Sequence, residues 1–278
     1  MTPAHRPRTV AIVQARTGSV RLPAKVLLDL GGQPVLVRVV ERTRRASLVD
    51  EVVVATTLEP EDEAIEALCR QRNYPCFRGS LHDVLDRYYQ AARHFDAGVI
   101  VRITADCPLI DPTLIDEAVD KFRQREVDFA ANRLPPPFHR TYPIGLDVEV
   151  CTFAALARAW READQPFQRE HVMPYLYEGL PTASSHATED VFAQSPRGFR
   201  LLLLNHAVDY GTFRWAVDTP QDLEAMRQVY AHFHNRDDFS WQDVLRLYQQ
   251  KPELARINAD VVHKSLYDVE TRQGTLRR

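Results

Sequence analysis

One twelve-residue segment near the N-terminus concentrates the groups that a triphosphate would need. Gln14-Ala15-Arg16-Thr17-Gly18-Ser19-Val20-Arg21-Leu22-Pro23-Ala24-Lys25 carries three cations, Arg16, Arg21 and Lys25, with one glycine and one serine hydroxyl among them. A glycine lets backbone approach a ligand closely, and guanidinium and ammonium groups neutralise phosphate oxygens. Neither G-x-x-x-x-G-K-[ST] nor G-x-G-x-x-G is present, so this is not the loop of P-loop enzymes or the dinucleotide fingerprint. Two distant acids complement it. Asp106 follows Val101-Arg102-Ile103-Thr104-Ala105, and Asp218 follows Trp215-Ala216-Val217. A carboxylate at the end of each of two strands brings two hard oxygens to one point, which is what Mg²⁺ on a triphosphate requires. The residues alone also allow a solvated basic turn for the loop and a helix cap for Asp218. Asp222 reads as ordinary first-turn acidity in a helix.

These residues have to be held by elements that the hydrophobic pattern outlines. Residues 9–15 (TVAIVQA) form a short β-branched run, read as a buried strand, and the cationic segment leaves its carboxyl end. In open α/β sheets that is where ligands bind. Further strands are predicted at 51–56, 75–77 and 98–103, with helices at 34–46, 61–73, 81–95 and 112–125. Strand and helix alternate and the strands are apolar on both faces, which implies a parallel sheet covered on both sides. After Phe129 the alternation fails. Residues 132–143 hold four prolines and no periodicity, and read as a long loop. Beyond it, strands are expected at 145–150, 199–204 and 213–217, and helices at 153–163, 168–177, 220–234 and 241–250, with Thr219 capping the third of these. The expected layout is α/β: a single domain over residues 1–250 with a mostly parallel central sheet, helices on both faces, and an excursion at about 132–212. Residues 251–278 form an extension, either a docking arm or a loose tail.

Composition narrows the function classes. The 278 residues are 45% hydrophobic with a formal charge of −3, which argues against a surface coated in basic charge for nucleic acid. Cys69, Cys76, Cys107 and Cys151 form no C-x-x-C pair and no zinc-like cluster, as expected for a protein of the reducing cytoplasm. The longest apolar runs are strand-sized, so no membrane span is expected.

With these residues in place, a resemblance emerges. The loop resembles the signature of the cytidylyltransferase family that makes CMP-activated acidic sugars, including 3-deoxy-manno-octulosonate and acylneuraminate cytidylyltransferases. It is most similar to the spore-coat polysaccharide biosynthesis protein F branch, which reads Q-A-R-x-G-S-x-R-L-P-G-K. The last Gly of that pattern is Ala24 here, a change that bears on loop shape if the backbone needs a positive φ. Asp106-Cys107-Pro108-Leu109-Ile110 and Val217-Asp218-Thr219-Pro220 resemble the family's D-x-P-L-I and V-D-T-P motifs. Phe77-Arg78-Gly79-Ser80, followed by Asp83-Val84-Leu85-Asp86-Arg87, resembles the segment lining the nucleotide pocket. Tyr142-Pro143-Ile144-Gly145-Leu146-Asp147-Val148-Glu149 and Gln168-Arg169-Glu170-His171 are further branch-like stretches, with Ile144 where the branch often has Asp. The likeness spans about residues 10–230.

The resemblance implies a nucleotide-diphospho-sugar transferase-like sheet of the GT-A type and transfer of CMP from CTP to a small anionic, sugar-like acceptor for polysaccharide or glycoconjugate synthesis. Arg16, Arg21, Lys25 and Asp106 would be catalytic, and Asp106 and Asp218 would hold Mg²⁺. The nucleotide would meet Gln14, Ala15, Arg16, Gly18, Ser19, Arg21 and Lys25 from the loop. Thr56, Gly79, Ser80, Asp83 and Val84 would complete that pocket, with Ser80 also readable as a helix N-cap. Arg102, Tyr142, Asp147, Glu149, Arg169 and His171 would face the acceptor; Asp147 and Glu149 alternate onto one face and could hold its hydroxyls or a second metal. A homodimer is the implied assembly, with the proline-rich stretch near Pro135 as an exchange arm. Two other readings stay open on sequence: a nucleotide-sugar-dependent glycosyltransferase, and a non-catalytic nucleotide-binding regulator.

Overall fold

The computed structural model describes residues 6–136, 138–181, 189–262 and Tyr267. Its strands are β1 (Thr9–Gln14), β2 (Glu51–Thr57), β3 (Cys76–Gly79), β4 (Val99–Thr104), β5 (Phe129–Ala131), β6 (Glu149–Thr152), β7 (Val191–Gln194) and β8 (Arg200–Leu203). They form one eight-stranded sheet in the order β3-β2-β1-β4-β6-β5-β8-β7. β1 pairs in parallel with β2 and β4, β2 with β3, and β5 with β8, whereas β6 runs antiparallel to both β4 and β5, and β7 to β8. The chain steps outward from β1 to β3 and then returns to β4 on the other side of β1. That reversal opens a crevice at the carboxyl ends of β1 and β4, where the two signature loops emerge.

The alternation of the central strands decides what covers each face. Ala11 and Val13 of β1 pack with α1 (Val35–Thr43), α2 (Glu63–Arg72) and α4 (Pro112–Gln124). Val10 and Ile12 point the other way, onto α3 (Val84–His94), α5 (Phe153–Glu162), and the short α6 (Pro166–His171) and α7 (Pro174–Tyr177). All four side chains are fully buried, and a buried Val or Ile contributes roughly 1.5–3 kcal/mol. A third cluster joins α8 (Pro220–His232) and α9 (Trp241–Gln250) to Leu30, Val35, Leu109 and Trp215. No helix among the described residues is long and apolar enough to cross a membrane.

Several elements differ from the expectation. Residues 145–150 were expected as a half-buried strand, but β6 begins at Glu149 and lies fully inside the sheet. β5 and β7 escape the pattern because they are only three and four residues long. The predicted helix 168–177 breaks at Val172 into α6 and α7. Residues 213–217 form no ladder. Trp215 N–H donates to Ile144 O at 2.7 Å and Val217 N–H to Asp106 O at 2.8 Å, so the segment changes partner within two residues. Asp218 therefore sits after an extended segment and directly before the α8 cap, Thr219, rather than at the end of a strand. Of the extension, Leu254 packs into the third cluster, and residues 263–266 and 268–278 lie outside the described set.

The loop after β1 is pinned from below. Asp62, 2% exposed, accepts from Thr17 N–H and Thr17 Oγ1 at 2.7 Å each and also from Thr57 Oγ1. Thr17 O in turn accepts from Ser19 N–H and Ala24 N–H at 2.8 and 2.9 Å. This folding of the loop on itself puts Ala24 in the left-handed region, at φ 52° and ψ 25°, just before the 3₁₀ turn Lys25–Leu27. A Cβ costs about 1–2 kcal/mol in that conformation, and glycine gives part of the gain back as unfolded-state entropy. Ala24→Gly should therefore stabilise the protein by roughly 0.5–1 kcal/mol in urea denaturation. An unchanged or lowered stability would contradict the strained turn.

Candidate active site

Lys25 is the centre of the site. The 3₁₀ turn directs its ammonium between two carboxylates, 2.6 Å from Asp106 Oδ2 and 2.7 Å from Asp218 Oδ1. Asp106 belongs to the loop after β4, and its backbone carbonyl holds Val217 N–H, so the two aspartates are tied through the main chain as well as through Lys25. Arg21 reaches Asp218 Oδ2 at 3.1 Å, and Arg214 reaches the same oxygen at 2.6 Å. Close approach of the extended segment to residue 144 needs Gly145 beside it: at φ 101°, a Cβ there would lie 2.6 Å from the Trp215 carbonyl carbon.

Charge compensation governs protonation here. Burial pulls the Lys25 ammonium down, but the Asp106 and Asp218 carboxylates outweigh it and hold the group above the ordinary lysine value. Burial pushes Asp218 up, and Lys25, Arg21 and Arg214 outweigh that in turn, leaving it below the ordinary carboxylate range. Cys107, beside Asp106, is raised well above a free thiol, first by burial and then by the Asp106 charge, so it stays a neutral thiol at neutral pH. It is no candidate nucleophile.

Arg21, Lys25, Asp106 and Asp218 form part of the wall of one cavity of about 570 Å³. Of the residues expected from the sequence, Gln14, Ala15, Arg16, Ser19, Arg21 and Lys25 line it from the loop, and Asp83 and Val84 from the start of α3. Arg102, Asp106, Arg169, His171 and Asp218 complete that set. Residues given no role from the sequence also line it, among them His82, Arg87, Thr104, Asp164 and Glu170.

Other expected residues lie elsewhere. Gly18, Thr56, Gly79, Ser80, Tyr142, Asp147 and Glu149 are not part of the lining. Thr56 is fully buried on β2. Gly79 and Ser80 act one step back, by seating Arg87. A Cβ on Gly79 would meet Arg87 Cγ at 2.9 Å, and Ser80 O accepts from Arg87 Nη1 at 2.6 Å. Ser80 is not the N-cap of α3: Asp83 is, accepting from Asp86 N–H at 2.8 Å, while Ser80 Oγ takes Asp83 N–H. Tyr142 is 4% exposed and packs on Trp241 in the third cluster. Asp147 is engaged by Arg133 at 3.0 Å and Arg140 at 2.9 Å, and Glu149 by Arg102. Both carboxylates are thus committed to arginines instead of opening onto the cavity.

Sequence reasoning missed two supporting acids. Asp62 carries no motif, and only the structure shows it under the loop. Asp222 is far from ordinary first-turn acidity. It is fully buried, bonds Arg214 Nε at 2.8 Å and closes a capping box with Thr219. The sequence signal was Thr219 three residues before an acid, which marks such a box. Asp218, with its folded value depressed, adds stability that is present above its unfolded value near ~3.9 and is lost as pH falls through the folded value. The urea midpoint of the wild type should therefore drop on acidification below about pH 4, and Asp218→Asn should blunt that drop. Parallel acid limbs for the two proteins would show that the charge cluster does not form.

The profile of the family described as Cytidylyltransferase matches residues 10–251. The spore coat polysaccharide biosynthesis protein SpsF of Bacillus subtilis is 30% identical over 249 residues, covering 88% of this chain and 95% of that protein. A 3-deoxy-manno-octulosonate cytidylyltransferase of Trichlorobacter lovleyi is 42% identical over 115 residues, or 41% of this chain and 44% of that one. Among solved structures, a cytidylyltransferase from Leptospira borgpetersenii superposes with a TM-score of 0.79 at 29% identity, covering 93% of this chain and 100% of that chain. The profile match runs from β1 through α9 and takes in the cationic loop and both aspartates, and on that ground the chain belongs to the cytidylyltransferase family.

Proposed function

We propose that the protein transfers CMP from CTP to a small acidic sugar and releases pyrophosphate, with Mg²⁺ as cofactor. The observation that carries this reading is the single cavity wall on which Arg16, Arg21 and Lys25 stand beside Asp106 and Asp218. Phosphoryl transfers of this kind need positioning and charge neutralisation more than covalent help from the protein. An acceptor oxygen attacks the α-phosphorus in line, the bond to the β-phosphate oxygen breaks, and the acceptor proton passes to solvent.

Each residue then has a part. Arg16, Arg21 and Lys25 offset the triphosphate charge and the charge that builds on the departing pyrophosphate. The donor set suits Mg²⁺. Asp106 and Asp218 offer hard oxygens that already share one cation, and the described residues hold no group of three or more metal-ligating side chains. Mg²⁺ takes one or two protein carboxylates and fills its remaining positions with water and phosphate oxygens. When bound it would polarise the phosphate and neutralise part of its charge. Residues 81–84 form the part of the lining we assign to the pyrimidine, and Arg102, Arg169 and His171 the part assigned to the acceptor anion. CTP as donor, a homodimeric assembly and a cytoplasmic location belong to the same proposal, on family resemblance; a monomer in light scattering would remove the dimer.

The deciding measurement is pyrophosphate release with Mg²⁺, each of the four nucleoside triphosphates and a panel of acidic sugars. Release should require CTP together with one acceptor. A nucleotide-sugar-dependent glycosyltransferase would give no pyrophosphate under any of these conditions. Lys25→Met should lower kcat/KM by roughly 10²–10³-fold, the usual effect of removing one charge-stabilising donor. Asp106→Asn should abolish metal-dependent turnover. Wild-type turnover in either variant would overturn the assignment of these roles.

A further inference from the structure

Asn258 lies beyond residue 251, where the family match ends, and yet it reaches the site. It follows the 3₁₀ turn Pro252–Arg256, whose Leu254 is anchored in the third cluster. Its side chain is buried, at 4% exposure. The amide nitrogen donates to Arg214 O at 3.0 Å and to Asp222 Oδ1 at 2.8 Å. Both partners are acceptors, so the position calls for a neutral group with two N–H donors.

Asp222 is the junction. Its Oδ1 takes Asn258 and Arg214 Nε at 2.8 Å each. Its Oδ2 takes Arg214 Nη2 at 3.2 Å and the backbone N–H groups of Asp218 and Thr219 at 3.0 Å each. A fully buried carboxylate is tolerated only when its lone pairs are met. Asn258 supplies the one side-chain donor that carries no charge. Arg214 is shared between the two acids, with Nε on Asp222 Oδ1 and Nη2 lying between Asp222 Oδ2 at 3.2 Å and Asp218 Oδ2 at 2.6 Å. Asp218 is held twice through this junction, by its own N–H and through Arg214.

We infer that Asn258 is a positioning residue for cytidylyl transfer: a C-terminal clamp that holds Asp218 in the orientation facing Asp106. The inference rests on the reading of Asp218 as a ligand of the metal–triphosphate complex. Without Asn258, the Arg214 carbonyl and Asp222 Oδ1 each lose a donor. The Arg214 guanidinium then re-centres on the under-satisfied Asp222 and draws away from Asp218. A purely structural asparagine would lower stability and leave the metal affinity of the folded protein alone.

The test is calorimetric titration of Mn²⁺ into the protein saturated with CTP, well below the melting temperature. Asn258→Ala should weaken Mn²⁺ binding about tenfold, the low end for losing a residue that orients a metal ligand. The Mg²⁺ concentration for half-maximal pyrophosphate release should rise by a similar factor, with the acceptor KM unchanged. In an Asp218→Asn background, Asn258→Ala should have no further effect on Mn²⁺ while still lowering Tm, because its effect on the metal runs through Asp218. Equal Mn²⁺ affinity for wild type and Asn258→Ala, or an equal loss in both backgrounds, would overturn the inference. If Asn258→Ala does not fold, Asn258→Ser keeps one donor and should give an intermediate loss under the same cycle. Wild-type protein that binds Mn²⁺ with CTP no better than Asp218→Asn would instead remove Asp218 as a ligand, and the inference with it.

Discussion

Asp106 and Asp218 share one wall of the cavity, and two carboxylates held that close repel each other unless cations stand between and beside them. Lys25 does the first, and Arg21 and Arg214 do the second. The arrangement depends on topology before it depends on side chains. β1 and β4 are neighbours in the sheet, so the loop that carries Lys25 and the loop that carries Asp106 leave the same edge side by side. Asp218 is brought to them by a segment that hydrogen-bonds first to Ile144 and then to Asp106 itself. Counting Asp222, three carboxylates and three cations form a cluster of balanced charge. Asp222 and Arg214 are buried behind the wall, whereas Lys25, Arg21, Asp106 and Asp218 line the cavity, where a ligand can meet them.

Much of the first half was legible in the residues. β1, β2 and β4 are continuous β-branched runs, and such runs leave few alternatives when helical periodicity fills the gaps between them. The cationic loop was visible because its three fixed charges, glycine and serine follow the carboxyl end of a predicted strand, where ligands bind in open α/β sheets. The second half was harder for a physical reason. β8 was expected at 199–204 and is found at Arg200–Leu203, but β5, β6 and β7 are each three or four residues long, too short for a period of two to stand out. Their pairing is also set by partners distant in sequence: β6 is inserted antiparallel between β4 and β5, and nothing local in Glu149–Thr152 announces that.

The residues that support the site were less legible than those that line it. Arg16, Lys25 and Asp106 announce themselves by type, because a charge at a strand end needs a reason. Asp62 and Asp222 are identical in type to many solvated acids, and only burial separates them. Burial is a property of the finished topology. Asp62 lies below the loop because β2 neighbours β1, and Asp222 is covered because the extension after α9 folds back over Arg214. Tyr142 is the opposite case. Its place in a branch-like motif suggested ligand contact, while its ring is part of the packing that holds Trp241.

The side of the cavity proposed for the acceptor shows why counting cations overstates what a pocket offers. Arg102 and Arg169 both line the cavity, yet Glu149 sits opposite Arg102 in the β4–β6 register and pairs with it, and Asp83 pairs with Arg169. Each guanidinium therefore brings direction more than net charge. Its position and plane are fixed by a buried or capping carboxylate, and its remaining N–H groups can meet an acceptor oxygen without reorganising. The loop after β1 is paired in the same way, Lys25 with Asp106 and Asp218 and Arg21 with Asp218, so on the proposed reading a ligand oxygen meets cations already set in place by carboxylates at both ends of the cavity.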